Sequence, residues 1–163
     1  MSENERIIDL LQRTHDGDAW HGPSVMDALD GVTARIAAAR PIPGAHSIWE
    51  IALHIIGWRG EVQRRLQGAT AGEPPEGDWP QAPQRPAEEG WAAVLEALQR
   101  SHDDLVETVG TLDDSRLDAP VKDERSRELG TGVSHYVTLH GIVHHDLYHA
   151  GQISLLKKAA AGS

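Results

Sequence analysis

The stretch SIWEIALHIIGWRGEVQRRLQ, residues 47–67, decides the architecture. Ser47 followed three residues later by Glu50 is a capping box, which satisfies two free N–H groups at a helix start. Ile51, Ile55, Trp58 and Val62 then recur at helical spacing, and Gly68 closes the run. At 1.5 Å per residue this helix spans about 30 Å, the length of a small domain.

Outward from it, the chain reads as helices between Pro- and Gly-rich breaks. Glu5 to His15 carries Ile7, Ile8, Leu10 and Leu11, and Gly17 stops it. Ser24 with Asp27 forms a second capping box. Val25, Met26, Leu29, Val32 and Ile36 predict one helix over 24–39, ended by Pro41-Ile42-Pro43-Gly44. Downstream, residues 69–86 hold five prolines and read as an irregular crossover. Pro86 opens a helix with Glu88 and Glu89 at its positive end. Trp91, Val94, Leu95, Leu98, Leu105 and Val109 sustain it to about 109. Residues 110–132 are polar loop with a short turn at Asp113–Leu117, and the charged run 121–129 reads as solvated. A last helix covers Val133 to Lys158, with Lys157 and Lys158 suited to its negative end. No strand alternation or internal repeat occurs. Four long helical patterns, at 24–39, 47–67, 87–109 and 133–158, predict an all-α, four-helix up-and-down-type bundle with long crossover loops. Residues 1–163 read as a single domain.

Composition removes several function classes. With no cysteine, disulfides, thiolate zinc sites and a cysteine nucleophile are excluded, and a reducing, cytoplasmic setting is expected. A formal charge of −10 argues against nucleic acid and anionic membranes as partners. No apolar run is long enough to span a bilayer, and the charged start MSENERIIDLLQRTHDG has no signal-peptide core. Ten histidines and five tryptophans stand beside no phenylalanine. That histidine density points to metal chemistry.

Five histidines fall in the last helix: His135, His140, His144, His145 and His149. Residues four apart share a helix face, so His140/His144 and His145/His149 each form a chelating pair. The two pairs point about 140° apart and cannot easily serve one ion. Both flank the apolar arc of Leu139, Val143 and Leu147, so periodicity leaves the choice between them open. A third ligand should come from another helix, and His54 sits mid-helix at the edge of an apolar stripe. Three imidazoles with a fourth position open describe a catalytic zinc site rather than a closed structural one. Glu61 and Glu50 lie on the face of His54, as a hydrogen-bond acceptor behind a ligand or as a general base; Glu50 is better explained as the capping residue. Trp58, one turn after His54, is a candidate pocket wall. His15, His21, His46 and His102 show no useful pairing. Tyr148 and Gln152 read as packing or hydrogen-bonding residues between helices.

The segment Ser47-Ile-Trp-Glu-Ile-Ala-Leu-His54, together with His145-Asp-Leu-Tyr-His149-Ala-Gly-Gln152-Ile153, resembles the DinB family of four-helix-bundle metalloproteins, which includes thiol-transferase-like members. Pro41-Ile-Pro-Gly-Ala-His-Ser47 resembles the family's lead into that helix, and the likeness covers almost the whole chain. It implies His54, His145 and His149 as ligands of a divalent metal, zinc first, with nickel, iron or manganese also suited to three imidazoles. The extra pair His140/His144 is a departure from the motif. The resemblance implies a metal-dependent enzyme, acting as a transferase with a low-molecular-weight thiol cosubstrate or as a hydrolase on a small molecule. It also implies a homodimer. The alternative is a non-catalytic, stress-linked bundle that binds a metal or a small molecule.

Overall fold

Three serines set the starts of three helices in the computed structural model, which describes residues 1–20, 22–124 and 133–161. Ser2, Ser24 and Ser47 each accept the N–H of the residue three further on, and Glu5, Asp27 and Glu50 return the bond to the capping residue. The helices are α1 (Glu3–His15), α2 (Val25–Leu29), α3 (Ala34–Ala38), α4 (Ile48–Leu66), α5 (Glu88–Gly110) and α6 (His135–Ala161), with one 3-10 turn at Asp114–Arg116. Asp113 caps that turn through the Ser115 N–H. The described residues contain no strand, only an isolated bridge between Pro120 and Ser134.

The expected helix over 24–39 is two five-residue helices instead. Gly31 adopts φ +68°, a left-handed turn that ends the first, and Thr33 caps the second. Tertiary bonds hold the break open. Trp91 Nε1 donates to Val32 O at 2.8 Å, and Glu88 accepts the Ala34 N–H at 3.1 Å. The four long helices are therefore α1, α4, α5 and α6. Both α1 and α4 pack against α5 and α6, so α1 stands diagonally across the bundle from α4. The short α2 lies on α6, and α3 wedges among α4, α5 and α6. Lys157, expected near the negative end of the last helix, also donates to Ala28 O and Asp30 O and so docks α2.

Two apolar clusters fill the interior. One holds Ile48, Ile51, Ile55, Trp49, Trp91, Leu98 and Ile153 together with α2 and α3. The other holds Ile7, Leu11, Val62, Leu105, Leu139 and Ile142. Burying each such side chain contributes about 1.5–3 kcal/mol. Between the clusters, at the same level on every long helix, sit buried polar residues: His15, Arg59, His102, Asp146 and His149. Polar groups at that depth need partners, and they find them in one another across the helices.

Candidate metal centre

α4 brings His54 into the layer and α6 brings His145 and His149, one helical turn apart. Each offers a ligand atom, and the three atoms all lie within 4.8 Å of one another. His54 and His149 are buried, whereas the His145 side chain stays 24% exposed. Among the described residues no other histidine or carboxylate cluster has this geometry.

Each ring is oriented from behind. Nδ1 of His54 meets Asp78 O at 2.6 Å, Nδ1 of His145 meets Asp146 Oδ1 at 3.2 Å, and Nδ1 of His149 meets Gln152 Oε1 at 2.7 Å. All three partners are oxygens, so each Nδ1 carries the proton and donates it. Each Nε2 is left with its lone pair. Nε2 of His54 and Nε2 of His145 are 2.9 Å apart. Burial holds His54 below the ordinary histidine pKa, and burial with the neighbouring His145 pushes His149 down to about 4. Neutral imidazole is the form that binds a metal. The donor set, protonation and convergence fit a divalent ion that accepts nitrogen ligands.

The crossover between α4 and α5 completes the wall. Pro74 packs on Gly57, where a Cβ would stand 3.2 Å from it, and this close approach carries the crossover back over α4. Asp78 then serves two residues. Its carbonyl takes His54, and its carboxylate accepts Trp58 Nε1–H at 2.8 Å. Trp79 stacks on His54, and His46 stacks on Trp79 with centroids 3.6 Å apart.

Several expected roles fall elsewhere. Glu61 is buried but turned away: its carboxylate takes Arg64, Arg65 and the Gly72 N–H, which anchors the start of the crossover. Glu50 holds the capping box and Arg40. Trp58 does wall a groove, which His145 shares. His140 and His144 stand on another face of α6, where His140 packs on Tyr136. Gln152 bonds within its own helix rather than between helices, and Tyr148 is exposed. His15 and His102, expected to be unpaired, stack at 4.1 Å in the core. His21 and most of the run 121–129 lie outside the described residues.

Asp146, Arg59, Asp78 and Trp79 were not singled out by sequence reasoning. Asp146 sits inside the fourth-helix motif, and Arg59 is the one charge between Ile51 and Gly60. Those were the available signals. Asp78 and Trp79 lie in a proline-rich crossover that has no periodicity to read.

None of the curated proteins compared matches the chain. A crystal structure of a conserved protein from Enterococcus faecalis aligns over 100% of this chain and 99% of that one, with TM-score 0.65 and 14% identity, which is a likeness of fold. The DinB superfamily profile matches residues 19–153, which include His54, His145 and His149. With that match over most of its length, the chain belongs to the DinB superfamily.

Proposed function

We propose that the protein is a metal-dependent enzyme whose divalent ion, zinc first, is held by Nε2 of His54, His145 and His149. The observation that carries this is the convergence of three imidazoles from two helices, whose ligand atoms all lie within 4.8 Å of one another. With a proton at Nδ1 of each ring, Nε2 of His54 and Nε2 of His145, 2.9 Å apart, are placed to share one cation. That contact is favourable with a shared cation between the rings, a proton in the metal-free chain or a divalent ion in the loaded one. A bound ion supplies Lewis acidity and lowers the pKa of a water or thiol placed on it.

The approach is from the side of His145. A groove of about 250 Å³ between α4 and α6 is lined by Trp58, Val62, Val137, Thr138, Ile142 and His145. Its walls are mostly apolar, with Arg65 as the one permanent charge among them, so it suits a small electrophile with an apolar body. The chain has no cysteine, so a thiol nucleophile must arrive as a low-molecular-weight cosubstrate. Transfer of such a thiol to the electrophile is the reading we favour, with hydrolysis of the same class of molecule as its competitor.

The test is turnover of small electrophiles with and without several thiols, on protein stripped of metal and then reloaded with zinc, nickel, iron or manganese. Thiol-dependent consumption that vanishes on chelation and returns with metal supports transfer. Metal-dependent turnover without thiol indicates hydrolysis. Chelation that unfolds the chain, with no turnover in any arm, indicates the non-catalytic reading.

A further inference from the structure

We propose that Arg59 is a positioning residue for the metal centre: through Asp146 it fixes the ring of His145 and so sets metal affinity. The proposal rests on the metal-binding reading above.

Arg59 heads the fully buried side chains by volume. From α4 it reaches the other three long helices. Its Nε donates to Asp146 Oδ2 on α6 at 2.7 Å. Its Nη1 donates to Leu98 O on α5 at 3.1 Å, and both terminal nitrogens face His15 Nδ1 on α1 at 3.4 Å. A buried ion pair is often no better for stability than apolar residues of the same volume. Core packing therefore does not by itself call for a guanidinium here.

The centre does. Asp146 divides its two oxygens: Oδ2 takes Arg59, and Oδ1 takes His145 Nδ1–H. His54 is oriented by a backbone carbonyl and His149 by a side-chain amide, both on short bonds. His145 has a carboxylate as its hydrogen-bond partner, on a longer 3.2 Å bond, whereas the Asp78 carboxylate only flanks His54 at 3.4 Å; and His145 alone of the three is open to the groove. A carboxylate free to rotate could not hold that ring. The Arg59 Nε–H pins Oδ2 while the other guanidinium nitrogens are held by Leu98 O and His15, and the guanidinium charge offsets the buried negative charge. The position of His145 is in this way tied to the packing of all four long helices.

The test measures zinc affinity of the full chain by competition with a chromogenic chelator. The variants are Arg59→Met, Arg59→Lys, Asp146→Asn and the double variant Arg59→Met/Asp146→Asn. Helicity and the melting point of the metal-free forms are followed in parallel, with the visible spectrum of the cobalt-loaded forms. Loss of an outer partner of a ligating histidine typically costs about 10–100-fold in affinity. We expect that loss for Arg59→Met and for Asp146→Asn, with a changed cobalt spectrum. Arg59→Lys keeps the charge but cannot at once hold Oδ2 and be anchored by Leu98 O and His15, and should recover only part. In the double variant the Arg59 change should cost no further affinity, because its route through Asp146 is already cut. If Arg59→Met does not fold, Arg59→Lys closes the same cycle with Asp146→Asn. Wild-type affinity in Arg59→Met or Asp146→Asn overturns the proposal, as does an Arg59 penalty that persists in full on the Asp146→Asn background. If the wild-type chain binds no zinc, the metal-binding reading falls first and this proposal with it.

Discussion

Trp79 lies flat on His54, with ring centroids 3.9 Å apart and planes 6° from parallel. The residue before it, Asp78, supplies the carbonyl that takes the His54 Nδ1–H. Two neighbours in an irregular crossover thus fix both the tilt and the tautomer of a ring that belongs to α4. Trp79→Ala should leave the helices intact, because Trp79 is only partly buried and packs at the edge of its apolar cluster. It should weaken metal binding by about 10-fold, at the lower end of such outer-partner losses. Circular dichroism and chelator competition on the same sample check both halves. Unchanged affinity would mean that the stack is incidental.

The choice of ligands is tested by metal content per chain after dialysis against a mild chelator. His145→Ala, His149→Ala and His54→Ala should each lose the ion, since two imidazoles of the three remain. His140→Ala and His144→Ala should keep it at wild-type stoichiometry, because those rings lie on another face of α6. Retention in His145→Ala with loss in His140→Ala would place the ion on the wrong side of the helix for this reading.

Gln152 provides a milder probe of the same centre. Gln152→Ala removes the acceptor behind His149 and leaves all three ligands in the chain. Affinity should fall about 10–100-fold while stoichiometry at saturating metal stays at the wild-type value. A fall in stoichiometry instead would make Gln152 part of the fold rather than a support for His149.

The buried pair His15 and His102 predicts a pH dependence of stability. Burial holds both below the ordinary histidine pKa, His102 at about 4. The stacked partner and Arg59 act in the same direction on His102, while Asp103 and Asp146 oppose them. In the unfolded chain such rings titrate near 6.5. Between about 6.5 and about 4 the unfolded chain therefore takes up protons that the folded chain refuses, and stability falls as pH falls. For His102 the slope approaches about 1.4 kcal/mol per pH unit and levels off once the folded ring protonates, and His15 acts in the same direction. Urea unfolding of wild type and His102→Gln across that window checks it. The variant should have the shallower slope, and equal slopes would reject the assignment.

Trp91 predicts a stability effect without a metal effect. Its indole N–H is the partner of Val32 O inside the core. Trp91→Phe leaves that carbonyl without its donor, at a cost of about 1–3 kcal/mol. The break between α2 and α3 should loosen, while zinc affinity stays at its wild-type value. Denaturant titration and chelator competition separate the two.

How much of this was legible in the sequence follows from the range of the forces involved. The capping boxes at Ser24 and Ser47, the bounds of α4 and α5 and the all-helical class rest on residues three or four apart, so local pattern determined them. Four-residue spacing also determined that His145 and His149 could act as a pair, and the two-motif resemblance singled them out from His140 and His144. Tertiary contacts decided the rest. The 24–39 pattern was periodic enough for one helix, yet Trp91 and Glu88 reach across from α5 to hold it broken. Glu61 shares a face with His54, but Arg64, Arg65 and Gly72 claim its carboxylate. Asp78 and Trp79 reach His54 only because Pro74 settles on Gly57. Arg59 and Asp146 are 87 residues apart in the chain. The hydrogen bond between them exists only once four helices have closed around it, because a charge whose partner lies on another helix leaves no period for the sequence to show.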